Sequence, residues 1–131
     1  MLADSKAFSG FAVKDLDQAR EFYGNTLGVR VEVLDAENGL MSLHHAEGRD
    51  TLVYAKPDHT PANYTILNFE VDDIDAAVDG LAARGVEFQR YGDDLPQDEK
   101  GVMRGREANR GPDIAWFTDP SGNILAVLQQ G

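Results

Sequence analysis

Two stretches of this chain can be laid over each other residue for residue: Phe11-Ala12-Val13-Lys14-Asp15-Leu16-Asp17-Gln18-Ala19 and Phe69-Glu70-Val71-Asp72-Asp73-Ile74-Asp75-Ala76-Ala77. Gly28-Val29 and Gly85-Val86 repeat the match at a distance one residue shorter. Self-similarity of this kind is the mark of one supersecondary unit built in tandem, each copy needing the other to bury its sheet. The elements read in one copy must therefore reappear in the second.

In the first copy, Phe8 to Val13 suits a strand, with Phe11 and Val13 alternating with small residues. Asp15 offers an N-cap and Gln18 follows three residues later, as in a capping box; Leu16, Ala19, Phe22 and Tyr23 then form one apolar helix face. Gly24 and Gly28 are expected to stop that helix. Val29, Val31 and Val33 alternate with Arg30 and Glu32, the period of a strand with one polar face. After a polar turn at 35–39, Gly39 to His44 and Thr51 to Ala55 give two more strands. The order is β-α-β-β-β.

Lys56 to Asn63, with Pro57 and Pro61, reads as a linker. The pattern then restarts: Ile66 to Val71 as strand, Asp73 as cap, Ile74, Ala77, Val78 and Leu81 as helix face, Gly85 as stop, and Val86-Glu87-Phe88 as the start of a strand. Near the end, Asp119-Pro120-Ser121-Gly122 has the residues of a type I turn, so Phe117 to Gln129 reads as a hairpin. Its second arm, Ile124 to Leu128, is apolar on both alternating faces, which suits a central strand covered on both sides. The halves differ at Tyr91 to Pro112, a long connection rich in charge and glycine. Such a segment is either a lid over a site or a loose insertion.

At 131 residues the chain (1–131) is expected to form a single domain, with repeat units over about 6–56 and 64–130. Twelve basic and 23 acidic residues give a net charge of −11, which repels phosphate backbones and anionic membranes. Nucleic acid and membrane are thus not expected partners. Without cysteine there is no disulfide, thiolate metal site or thiol nucleophile. With no signal-like or membrane-spanning stretch in the sequence, a cytoplasmic protein is expected.

The doubled β-α-β-β-β unit, the run Val13 to Tyr23 (Val-x-Asp-Leu-Asp-x-Ala-x-x-Phe-Tyr) and the run Phe117 to Asn123 (Phe-x-Asp-Pro-x-Gly-Asn) resemble the vicinal oxygen chelate superfamily. This is the family of glyoxalase I, extradiol dioxygenases, fosfomycin resistance enzymes and bleomycin resistance proteins. The resemblance implies an α+β fold in which the two units form a half-open, curved mixed sheet with helices outside and a ligand cavity on the concave face. In metal-dependent members that face carries His, Glu and Gln ligands. The matching positions here are Phe8, Val53, Ile66 and Ala126, none of which coordinates a divalent ion. A shift by one residue either way supplies no better set, and a shift by two adds only Asn68.

His44 and His45 are neighbours on one strand and point to opposite faces, so they do not grip one ion in regular geometry; His59 lies in the linker. Strand alternation places Ile66, Asn68 and Glu70 on the face of the missing ligand, where Glu70 is a weak candidate for a general base and otherwise a solvated carboxylate. Of Trp116 and Phe117, one must face the helices and the other the cavity, where it could stack on a flat ligand. Phe8, Ala12, Ile66, Ala126 and Leu128 would make the wall apolar. Arg104, Arg106 and Arg110 stand among Asp93, Asp94, Asp98, Glu99 and Glu107, a mixture that reads as solvated charge.

The function expected is metal-independent binding of a small, aromatic or amphipathic molecule, with an acidic chain favouring cations and, by the resemblance, a homodimer. The ligand-binding set is Phe8, Ala12, Ile66, Asn68, Glu70, Trp116, Ala126 and Leu128, with no metal and no other cofactor. The alternative is a lyase, isomerase or dioxygenase of the same superfamily with a divalent metal; the apolar ligand positions disfavour it. A third possibility is a subunit whose cavity is filled and which contacts another protein.

Overall fold

The structure is a computed structural model that describes residues 1–92 and 95–131. It divides into two compact units, Met1–Thr60 and Pro61–Gly131. The first holds β1 (Ser9–Val13), α1 (Leu16–Glu21), β2 (Arg30–Asp35), β3 (Leu40–His44) and β4 (Asp50–Ala55). The second holds β5 (Thr65–Glu70), α2 (Ile74–Ala83), β6 (Met103–Arg104), β7 (Asp113–Thr118) and β8 (Ile124–Gln129). Each forms a four-stranded mixed sheet of the same topology, β1-β4-β3-β2 in one and β5-β8-β7-β6 in the other, with one parallel pair apiece. This is the α+β fold of the doubled unit. The doubly apolar β8 is an interior strand, as its pattern required.

In the first unit Asp15 caps α1 by accepting the Gln18 N–H at 3.0 Å. The helix does not stop at Gly24. It widens into one π turn over Phe22–Thr26 and ends at Gly28, whose φ of +73° closes the turn. A glycine such as Gly24 does not by itself break a helix; the positive φ at Gly28 does. The wide turn carries fully buried Tyr23 onto Phe11, with ring centroids 5.7 Å apart. Phe11, Met41 and Val53 are aligned across the strands, so one sheet face packs under the helix and is buried.

In the second unit Asp73 caps α2 through the Ala76 N–H at 3.1 Å. Gln129 Oε1 accepts the Ile74 N–H at 3.0 Å, which sets α2 on the face of β8 that carries Leu125 and Val127. Ile74 and Val78 are buried with Ala115 and Phe117, and Phe88 packs edge-on against Phe117 at 5.8 Å. The turn after β7 follows the sequence expectation: the Gly122 N–H donates to the Asp119 carbonyl at 3.0 Å. Gly122 adopts φ +87°, and a Cβ there would lie 3.1 Å from Pro61.

The strand expected at Val86-Glu87-Phe88 is cut short. Only Phe88 bridges to Phe117, with the Gln89 N–H donating to the Trp116 carbonyl at 2.8 Å. The rest of that edge is supplied by β6, which pairs Met103 with Ile114 and Arg104 with Asp113. The long connection leaves the edge of β7 and rejoins it, so one strand is split into two pieces.

Candidate functional site

The register of the second sheet gathers five of the expected ligand residues on one face. Asn68 lies opposite Ala126 and Ala126 opposite Trp116; Glu70 lies opposite Leu128 and Leu128 opposite Ile114. Partners in register point the same way, so Asn68, Glu70, Ala126, Leu128, Ile114 and Trp116 share the face away from α2. Ala126 is fully buried, Leu128 and Trp116 are half-buried, and Asn68 and Glu70 are exposed. The face has an apolar middle with an amide and a carboxylate beside it.

Ile66 does not join this row as strand alternation predicts. Thr65 is opposite Ile124 and Leu67 opposite Leu125, so Ile66 is the extra residue of a β-bulge and the register gives its place to Thr65. The other two residues of the set belong to the first unit. Ala12 is buried and lies in β1 opposite Tyr54. Phe8 precedes β1 and is 70% exposed. Val53 sits with Phe11 on the helix-covered face of its sheet, so a ligand position on the Ala12 face would fall instead on Leu52 or Tyr54.

Tyr91 is the residue that sequence reasoning passed over. Its ring meets Trp116 edge to face, with centroids 5.4 Å apart and planes at 85°. Burial raises the pKa of its phenol. Its backbone N–H donates to Gln97 Oε1 at 2.8 Å. An aromatic at the mouth of a long loop was the only signal in the sequence. The Tyr91–Trp116 pair makes a rigid wall of large apolar area, of the kind on which flat molecules stack.

Part of the connection is tied down rather than solvated, while Glu99, Glu107 and Arg110 are exposed as a solvated run would be; Asp93 and Asp94 lie outside the described residues. Arg104 forms hydrogen-bonded ion pairs with Asp75 of α2 and with Asp98, whose Oδ2 is 2.9 Å from its Nε. Lys100 reaches Asp75 and Asp79 at 3.2 and 3.1 Å. Burial pushes the Asp98 carboxyl up, but hydrogen bonds from Val102, Arg104 and Lys100 outweigh it and leave it lowered. Arg106 donates from its backbone N–H to Asp113 at 3.1 Å.

The side chains at the positions where the resemblance implies metal ligands do not fit a divalent ion, since the only oxygen donors among them are the Tyr54 phenol and the Thr65 hydroxyl, with no imidazole or carboxylate. His44, the last residue of β3, is held between two carboxylates: Nδ1 is 2.7 Å from Asp50 and Nε2 is 2.8 Å from Glu32. Each ring nitrogen is turned to its own carboxylate, so the three groups do not converge on one point. His45 turns to Thr51 Oγ1 at 2.9 Å. Among the described residues no three His, Asp or Glu side chains are placed to hold an ion together. Nor is any of their helices long and apolar enough to cross a membrane.

The sequence model of the Glyoxalase/Bleomycin resistance protein/Dioxygenase superfamily matches residues 7–127. Among solved structures, a glyoxalase/dioxygenase from Nostoc punctiforme superposes with a TM-score of 0.71 at 16% identity, covering 99% of this chain and 94% of that one. An antibiotic-binding protein from a Streptomyces species gives 0.68 at 20% identity and covers 98% of both chains. A genomically encoded fosfomycin resistance protein from Listeria monocytogenes gives 0.68 at 15% identity, covering 95% of this chain and 90% of that one. At these identities the likeness is one of fold. Comparison with curated proteins gives no significant sequence match.

Proposed function

Because the chain belongs to the Glyoxalase/Bleomycin resistance protein/Dioxygenase superfamily, we infer that it acts within that fold as a metal-independent binder of a small, flat, amphipathic molecule. The observation that carries this is the Trp116–Tyr91 wall beside the Ala126–Leu128 strip, on the face of the second sheet away from α2. An apolar surface with a few polar groups in fixed places is the usual make-up of a small-molecule site. Asn68 supplies an amide and Glu70 a carboxylate on the same face, and the net charge of −11 draws cations toward it. Phe8, Ala12 and Ile66 stay in the proposed set of contact residues. A relative in fold that binds an antibiotic supports the class of ligand.

In this proposal the chain is one cytoplasmic domain that pairs with a second copy; its lack of cysteine and its doubly apolar β8 support those two points.

Trp116 is the single tryptophan, so its emission reports on the site alone. Chelator-treated protein titrated with proflavine, a planar aromatic cation, should show saturable quenching matched by calorimetric heat. Glu70→Gln should weaken binding several-fold, and Trp116→Leu should abolish the heat. Saturation that needs an added divalent metal, or heat that survives Trp116→Leu, would overturn the proposal.

A further inference from the structure

We propose that the side-chain amide of Gln97 is the positioning element that holds Tyr91 against Trp116 and thereby fixes the aromatic wall. The inference rests on the binding role proposed for that wall, and it assigns a specificity-determining role to a residue that does not face the ligand.

All three hydrogen-bonding groups of the amide are used. Oε1 accepts the Tyr91 N–H at 2.8 Å, while Nε2 donates to the Gln89 carbonyl at 2.9 Å and to the Gly101 carbonyl at 2.8 Å. Gln89 is itself tied to β7, since its N–H donates to the Trp116 carbonyl. Gln97 is also fixed from behind by its bridge to Met103, the first residue of β6. One amide thus joins the departing arm of the connection to the returning arm, and Tyr91 lies inside that clasp.

Only an amide of this length supplies one acceptor and two donors in a plane. Glutamate keeps the acceptor and sets an anion beside two carbonyls, methionine keeps only the shape, and asparagine is one methylene short. With the Tyr91 N–H and the Gln89 carbonyl held by one amide, the backbone leading into Tyr91 is fixed where its ring takes the edge-on approach to Trp116. With one flank of the indole occupied in this way, a bound ring must use the remainder, so the clasp determines the size of ring the wall accepts. Preorganisation of this kind raises affinity by removing the cost of ordering the wall on binding.

The test compares wild type with Gln97→Met, Gln97→Glu and Tyr91→Leu, first without ligand. Gln97→Met should shift the Trp116 emission and reduce the near-ultraviolet circular dichroism in the direction that Tyr91→Leu does, with proflavine affinity lowered about five- to tenfold. Gln97→Glu should do the same at neutral pH and recover part of the dichroism as the pH is lowered toward about 4.5, where the carboxyl regains a donor. This acid recovery is a signature that general loosening of the loop does not give, and it remains readable if the methionine variant fails to fold. Spectra unchanged in Gln97→Met and Gln97→Glu would overturn the positioning role. Altered spectra with no ligand bound by any variant, wild type included, would leave the clasp standing and sink the binding proposal instead.

Discussion

Arg104 forks onto Asp75: Nη2 stands 2.7 Å from Oδ1 and Nη1 3.1 Å from Oδ2, which joins the long connection to the first turn of α2. The Arg104 guanidinium, with the Lys100 ammonium beside it, holds the Asp75 carboxyl well below its ordinary value of 3.8. A depressed folded-state pKa contributes stability that is present above the unfolded value and lost as pH falls through the folded one. Hydrogen-exchange protection of the amides in 97–104 should therefore hold between pH 7 and about 5 and fall below about 4. Asp75→Asn should show the loss already at neutral pH. Equal protection in the variant would mean that the pair contributes nothing.

The hairpin turn depends on one carboxylate. Asp119 Oδ1 accepts the N–H groups of Ser121 and Asn123, each at 2.9 Å, and Oδ2 accepts Asn123 Nδ2 at 2.9 Å, all of it buried. Asp119→Ala strands these donors and should cost about 2–3 kcal/mol in urea unfolding. Asp119→Asn, which keeps one acceptor, should cost less.

The two adjacent histidines should titrate in opposite directions. Hydrogen bonding to Asp50 and then to Glu32 raises His44 above 6.5, whereas burial lowers His45 below it. The His44 imidazolium contributes stability that is full below 6.5 and lost as pH rises through its higher folded value. Proton NMR titration should give the His44 midpoint above and the His45 midpoint below the ordinary value. Asp50→Asn should bring His44 back down, and coincident midpoints would count against the geometry of the pair.

Neighbouring aromatics on β7 should separate stability from binding. Phe117 is fully buried, and Phe117→Ala should destabilise by about 3–5 kcal/mol. Trp116 is half-buried on the opposite face, so Trp116→Ala should cost less in urea unfolding while removing proflavine binding. A similar stability loss in both variants, with binding retained in the second, would place Trp116 in the core instead.

Period and capping made most of the fold legible. Asp15 and Asp73 cap the helices they announce, and Trp116 and Phe117 part to opposite faces as alternation demands. The failures are of another kind. The bulge at Ile66 is a matter of register, which depends on the partner strand and leaves no local mark. The ion pairs of Arg104 join residues far apart in sequence, and a mixed-sign run looks the same whether it is solvated or paired. In the candidate site, Ala126 came from the resemblance and Asn68 and Glu70 from alternation, while alternation alone left open which of Trp116 and Phe117 faces away from the helix. Tyr91 was not reached, because its place is set by the tertiary bonds of Gln97.

The divided edge of the second sheet makes this molecule tolerant of change at one place. Phe88 and Met103 pair with Phe117 and Ile114, which are three positions apart on β7 and so separated by roughly 10 Å. Everything from 89 to 102 closes that short span, and closing it with a chain twice as long would cost only about 0.6 kcal/mol more. Descent could change the length between Tyr91 and Gln97 without disturbing a ladder hydrogen bond of β7 and β8, provided Gln89, Gln97 and buried Val102 are kept. The wall beside Trp116 is thus the part of the chain most open to revision, and a graft into 92–96 is where an engineer could recast what the protein holds.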